Sequence, residues 1–176
     1  MAVVSIYLIV FRILHVMAAI AWGGAVFLLV VYVQPTVAAI APAGAPFMRE
    51  FLGRRRVVDG ILGLAVTTIV AGGFLYWHDW HLFQSFGDWL GSRFGASLTI
   101  GMVSALIALG IGGSITRPNV RRLLALGAQV AASGAPPTPD VAAELATIQH
   151  RLKILARVGL GLLLFAVVAM SVARYL

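Results

Sequence analysis

The chain has 176 residues, 61% hydrophobic and only 11% charged, with a mean hydropathy of +0.98. A soluble domain is nearer half apolar and a quarter charged, so lipid must cover apolar surface that one water-soluble core of this size cannot hide. Thirteen basic residues against six acidic ones give a formal charge of +7, but they sit just beyond apolar runs, which reads as cytoplasmic loops and excludes nucleic acid as a partner.

The N-terminus, Met1 to Ser5, has no basic n-region, and the apolar run that follows is too long for a signal-peptide core. It reads as a retained helix. A span needs about 20 apolar residues, and four segments qualify. The first covers about 6–33 and is expected to stop at Gln34-Pro35, because proline brings no amide donor and restricts the residue before it. The second covers about 57–77. The third covers about 94–115, with its stop expected at Thr116-Arg117-Pro118, and the fourth about 154–173. The sequence therefore predicts an all-α integral membrane protein, a single four-helix transmembrane bundle.

Small residues spaced four apart, Ala19 and Gly23, Gly101 and Ala105, Ala108 and Gly112, mark faces where helix backbones can approach in lipid. Ordinary packing within the bundle accounts for them. Ten of the thirteen basic residues fall in two connections. Arg49, Arg54, Arg55 and Arg56 lie between the first and second spans, and Arg117, Arg121, Arg122, Arg151, Lys153 and Arg157 between or beside the third and fourth. Only Arg12, Arg93 and Arg174 lie on the other side. This bias predicts cytoplasmic basic loops, with both termini and the 78–93 loop outside. Trp77, Trp80 and Trp89 flank that outer loop, where amphipathic rings favour the interface.

The connection at about 118–153 reads as a cytoplasmic helical hairpin. Ser133 to Pro137 breaks it, Thr138 is the expected N-cap and Pro139 the first helical residue. From there Val141, Leu145, Ile148, Leu152 and Leu155 form one helical stripe. The hairpin would pack on itself, with a partner-binding groove as the other reading.

His15 carries the most chemical information, because an ionisable residue inside a span is costly and usually functional. Arg12 lies three positions earlier on the same face, and the stripe continues through Ala19 and Trp22. His15 fits an axial haem ligand, with Arg12 one turn outward to pair with propionates. It also fits a copper ligand, a quinone or proton role, or a structural histidine hydrogen-bonded to a neighbouring helix while Arg12 snorkels to the interface. Met102 and Met170 lie at similar depth in the third and fourth spans, and His78 and His81 follow the outer end of the second. Thioether and imidazole suit copper, and a Met/His pair suits haem, although methionine is also common packing filler. His150 reads as a solvated helix residue.

No acidic residue lies deep in a span: the six are Glu50, Asp59, Asp79, Asp88, Asp140 and Glu144. That argues against a proton pump. No Walker motif, HExxH or nucleophile elbow occurs, no charged row lines a channel-like path, and the lack of cysteine excludes disulfides, thiolate metal sites and iron–sulfur clusters.

The segment Leu14-His15-Val16-Met17-Ala18-Ala19-Ile20-Ala21-Trp22-Gly23-Gly24 resembles the first-helix pattern of copper-resistance protein D (CopD)-like membrane proteins. Arg54-Arg55-Arg56, Arg121-Arg122-Leu123-Leu124-Ala125-Leu126-Gly127 and Ala169-Met170-Ser171-Val172-Ala173-Arg174-Tyr175-Leu176 look similar too, so the resemblance spans most of the chain. More distantly, it is similar to the four-helix HemJ-like protoporphyrinogen oxidase type. The resemblance implies a bacterial inner-membrane protein that binds haem b or copper, with His15 as ligand and a redox, electron-transfer or copper-handling role. The chain departs from the pattern in having no histidine or lysine within the third span, which leaves His78, Met102 or Met170 as second ligand. The contrasting expectation is a cofactor-free accessory subunit docked in a larger membrane complex or homo-oligomer, and a porphyrinogen-oxidising enzyme is the third.

Overall fold

A computed structural model describes residues 6–41 and 43–176, and every regular element among them is helical. The N-terminal Met1–Ser5, read from sequence as the lead into a retained helix, lies outside the described residues. Four helices are long and apolar enough to cross a membrane: α1 (Ile6–Ala39), α3 (Val57–Trp80), α5 (Arg93–Ser133) and α6 (Pro139–Tyr175). Short helices fill two connections, α2 (Gly44–Met48) and α4 (Phe86–Gly91). At 1.5 Å per residue, α3 is about 36 Å long and α5 about 60 Å. The hydrocarbon core of a bilayer is about 30 Å, so α1, α5 and α6 overshoot it well beyond α3.

The prolines do not end their helices, contrary to the expectation from sequence. α1 runs through Pro35 to Ala39, and α5 runs through Pro118 to Ser133. In each case the turn before proline widens into a π-helical turn, Leu29–Val33 and Ile111–Thr116. The Gln34 amide reaches back to the Leu29 carbonyl and the Arg117 amide to Gly112, five residues rather than four. A proline ring collides with the carbonyl four residues earlier and supplies no donor of its own. One wider turn relieves both problems and lets the helix continue.

The bundle closes around a small-residue core of Trp22, Ala65, Ala105, Ala108, Leu163 and Ala166. A close approach joins α5 to α6 at Gly101. A Cβ there would lie 2.7 Å from Met170 Cγ and 3.2 Å from the Ala166 carbonyl oxygen. Only glycine permits that spacing, as small residues do at helix contacts in lipid.

At the end holding the 78–93 connection, Trp89 is fully buried, which corrects its expected place at the lipid–water interface. Trp77, by contrast, is 59% exposed. Ser85 caps α4 by accepting from the Asp88 amide, and Ser92 caps α5 by accepting from the Gly95 amide. The two caps turn α4 back over the bundle. Trp89 Nε1–H then donates to the Tyr76 hydroxyl (2.8 Å), which bonds to Thr99 Oγ1 at 2.8 Å. Phe83 and Phe94 stand edge-on to its ring. A buried indole with its N–H satisfied is a plug, not an anchor.

At the opposite end α5 stops at Gly134, whose φ of 63° is the left-handed conformation that terminates helices. Thr138 occupies the N-cap of α6 with Pro139 at its first turn, but its side chain makes no capping hydrogen bond. Along α6, Ile148 is buried and Val141, Leu145, Leu152 and Leu155 are half-buried, so this stripe faces α5. Arg122 donates through Nε (2.7 Å) and Nη2 (3.0 Å) to the Glu144 carboxylate across the pair. These hydrogen bonds hold the Glu144 carboxyl below its usual range. A depressed folded pKa adds stability above the ordinary carboxylate range, and that stability is lost as pH falls through the folded value. The half-exposed pair makes this a small effect. Protease cleavage near 134–140 is expected to rise modestly on acidification. It should rise more in Leu145→Asp, which places a charge in the packed stripe, and an unchanged cleavage rate in that variant would count against the packing.

Candidate functional site

Between the four long helices lies a cavity of about 350 Å³. Its α1 wall carries Arg12, His15, Ala19 and Trp22, the one-faced stripe legible in the sequence. From Arg12 to Trp22 is about 15 Å along a helix at 1.5 Å per residue. Trp22, Ala105, Leu163 and Ala166 belong both to the cavity wall and to the buried core, so they form its floor. Arg12 on α1 and Asp79 on α3 line its other end. The walls are therefore charged at the mouth and apolar at the bottom, with His15 one turn below Arg12.

His15 is fixed by the neighbouring helix. Its Nδ1 lies 2.9 Å from the Thr68 carbonyl oxygen on α3. A carbonyl only accepts, so Nδ1 carries the proton and donates, leaving the Nε2 lone pair. Nε2 makes no hydrogen bond to the described residues, and no described side-chain nitrogen or oxygen is sealed away without a partner. Nε2 is therefore open to approach, and His15 is one of the side chains that line the cavity. The ring lies directly on Gly72, where a Cβ would sit 2.7 Å from His15 Cε1 and Nδ1. A metal-ligating histidine typically has this arrangement, one nitrogen tied to a backbone carbonyl and the other free. A structural histidine bridging two helices would show the same bond.

Met102 from α5 and Met170 from α6 line the same cavity as His15, and Met170 is also folded over Gly101. His78 does not line it. That imidazole bonds to Asp79 Oδ1 at 3.2 Å and stands edge-on to Tyr7. His81 bonds to the Trp77 carbonyl on the exposed side of the same turn. Among the described residues no three His, Asp or Glu side chains are grouped to hold a metal ion. The donor set facing the cavity is one imidazole and two thioethers. No family model matches the chain, and neither a curated protein nor a solved structure does.

Four wall elements escaped the sequence reading: the Thr68 carbonyl, Gly72, Tyr76 and Asp79. In the sequence Gly72 is simply one of a Gly-Gly pair at 72–73. Its register opposite His15 exists only once α1 and α3 are paired. Tyr76 faces the cavity while its hydroxyl joins Trp89 to Thr99, so the α4 plug and the cavity wall share one side chain.

Proposed function

We propose that this chain is a four-span membrane protein that holds haem b in the interhelical slot, with His15 as the residue that would ligate it, for one-electron transfer. What carries the reading is the combination of an imidazole tied through Nδ1 with a largely apolar slot whose α1 wall spans about 15 Å from Arg12 to Trp22. A bare metal ion would leave most of 350 Å³ empty, whereas a flat macrocycle uses that length. The apolar floor at Trp22, Ala105, Leu163 and Ala166 would exclude water from such a ring. Arg12 at the mouth would meet its carboxylates, and Met102 or Met170 would supply a thioether ligand, a His/Met pairing that raises haem potential. Haem supplies reversible one-electron chemistry, and the chain's part is binding, orientation and a low-polarity surround. The resemblance to CopD-like proteins favours the same residue, His15.

A copper reading has one observation in its favour, the two thioethers beside the imidazole, which suit Cu(I). Absorption spectra of the purified protein, oxidised and dithionite-reduced, together with metal analysis, test both. A Soret band that sharpens and shifts on reduction is expected. Copper without a Soret band would replace the haem reading with metal handling. Neither would leave an accessory subunit in which the His15–Thr68 bond serves packing alone.

Ten of the thirteen basic residues lie toward the α5/α6 hairpin end, which supports placing that end in the cytoplasm and the Arg12 mouth outside, in a bacterial inner membrane. Because the chain lacks cysteine, single-thiol variants report the orientation directly. Gln84→Cys and Ala135→Cys are both at exposed positions. Only the first is expected to react with an impermeant maleimide added outside intact cells, and the reverse result would invert the topology.

A further inference from the structure

Polar contacts stitch the four long helices together unevenly. His15 to Thr68 joins α1 to α3. Tyr76 to Thr99 and Arg117 Nε to Asp59 (2.6 Å) join α3 to α5. Ser97 Oγ donating to the Ala169 carbonyl (2.7 Å) and Arg122 to Glu144 join α5 to α6. Among the described residues no hydrogen bond or ion pair joins α6 back to α1. In a bilayer, where apolar surface gains nothing from leaving lipid, helices are held by close packing and such polar bridges. The α1/α6 seam has only packing.

On both helices of that seam the wall of the slot reaches the surface. Val16 on α1, next to His15, lines the slot and is 46% exposed, and Val167 on α6 lines it and is 57% exposed. They are the wall's exposed apolar side chains, and the belt around them is apolar: Ile13, Met17 and Ile20 on α1 and Leu164, Val168 and Val172 on α6 are all exposed. The lipid-facing surface thus runs continuously through two valines into the chamber that holds His15. The aqueous mouth, by contrast, carries Arg12 and Asp79.

We infer that the occupant of the slot enters sideways from the bilayer, through the α1/α6 seam between Val16 and Val167, and is therefore a membrane-dissolved, largely apolar ligand. The inference rests on the haem reading above. A membrane-partitioned ligand stays in a low-polarity phase throughout this route, and its ionised groups need only reach Arg12 last. Separating α1 from α6 breaks no hydrogen bond among the described residues, whereas opening any other seam breaks at least one.

The cysteine-free chain makes the route testable. Val167→Cys, Val16→Cys and, as control, Val103→Cys are each labelled with a pyrene maleimide and reconstituted without haem. Val103 is 46% exposed on α5 but lines no part of the slot. Haemin dissolved in the vesicle bilayer is then offered, and growth of the Soret band is followed. Labelling Val167→Cys or Val16→Cys is expected to slow loading at least tenfold, with the final spectrum unchanged, while labelling Val103→Cys leaves the rate as it was. Loading that is equally fast in all three, with a normal Soret band, overturns lateral entry and leaves the haem reading standing. A wild-type chain that develops no Soret band overturns both.

Discussion

His15→Ala is expected to lower haem content at least tenfold, to background, while the protein still inserts and purifies. The substitution removes the Nε2 ligand and the Nδ1–H donor that meets the Thr68 carbonyl. Alanine is apolar and the best helix former, so neither insertion nor α1 itself is impaired. His15→Gln separates the two roles. Its amide N–H₂ can still donate toward Thr68, but it offers no imidazole nitrogen to a metal. Cofactor content should therefore be lost in both variants, whereas thermal stability should fall more in His15→Ala. Full haem in His15→Ala would end the ligand reading. Equal haem in wild type and His15→Gln would assign the slot a different ligand, with Met102 and Met170 next in line.

The sequence carried the four apolar spans because hydropathy over about 20 residues depends on no partner. It also carried the α1 stripe, since Arg12, His15, Ala19 and Trp22 all line one cavity. Proline misled the boundaries. A rule about residue i and its own carbonyl at i−4 takes no account of a widened turn, which here absorbs the clash at Pro35 and at Pro118. Trp89 misled for a different reason. Composition and position both favour the lipid–water interface, and only the Ser85 and Ser92 caps, with Tyr76 and Thr99 as polar partners, bring the indole inside. The partner of His15 had no legible signal. It is a backbone carbonyl, and every residue has one.

The polarity of the slot would orient a ligand held in it. Charged walls occur only where Arg12, one turn above His15, and Asp79, further out on α3, line it, and the opposite end closes on the core. A ligand with polar groups on one edge has a single favourable orientation there, because reversing it would bury those groups against Trp22 and Leu163. That penalty, several kcal/mol for each unpaired ionised group even after relaxation, fixes the edge that faces the mouth. A redox partner on that side would then meet the same edge each time.

Gly72→Ala is the sharpest test of how His15 is held. The added methyl would lie 2.7 Å from His15 Cε1 and Nδ1, closer than any normal carbon contact of about 3.5–4.0 Å. The imidazole cannot retreat without leaving the Thr68 carbonyl, because that bond holds the ring against this stretch of α3. Overpacking of this kind costs about 1–3 kcal/mol, against a gain of about 0.5–1 kcal/mol from replacing glycine by alanine within a helix. Gly73→Ala makes the same helix-propensity change one residue along, where a Cβ meets nothing within 4 Å. Gly73→Ala is therefore expected to keep full haem and equal or better thermal stability. In Gly72→Ala the ring must tilt, which moves Nε2 off its line into the slot, and haem content is expected to fall about tenfold with a lower unfolding temperature. The two variants are compared by Soret absorbance per protein and by thermal midpoint in the same detergent. If they behave alike, the contact between Gly72 and His15 does not position the ligand, and the imidazole is held by the Thr68 bond alone.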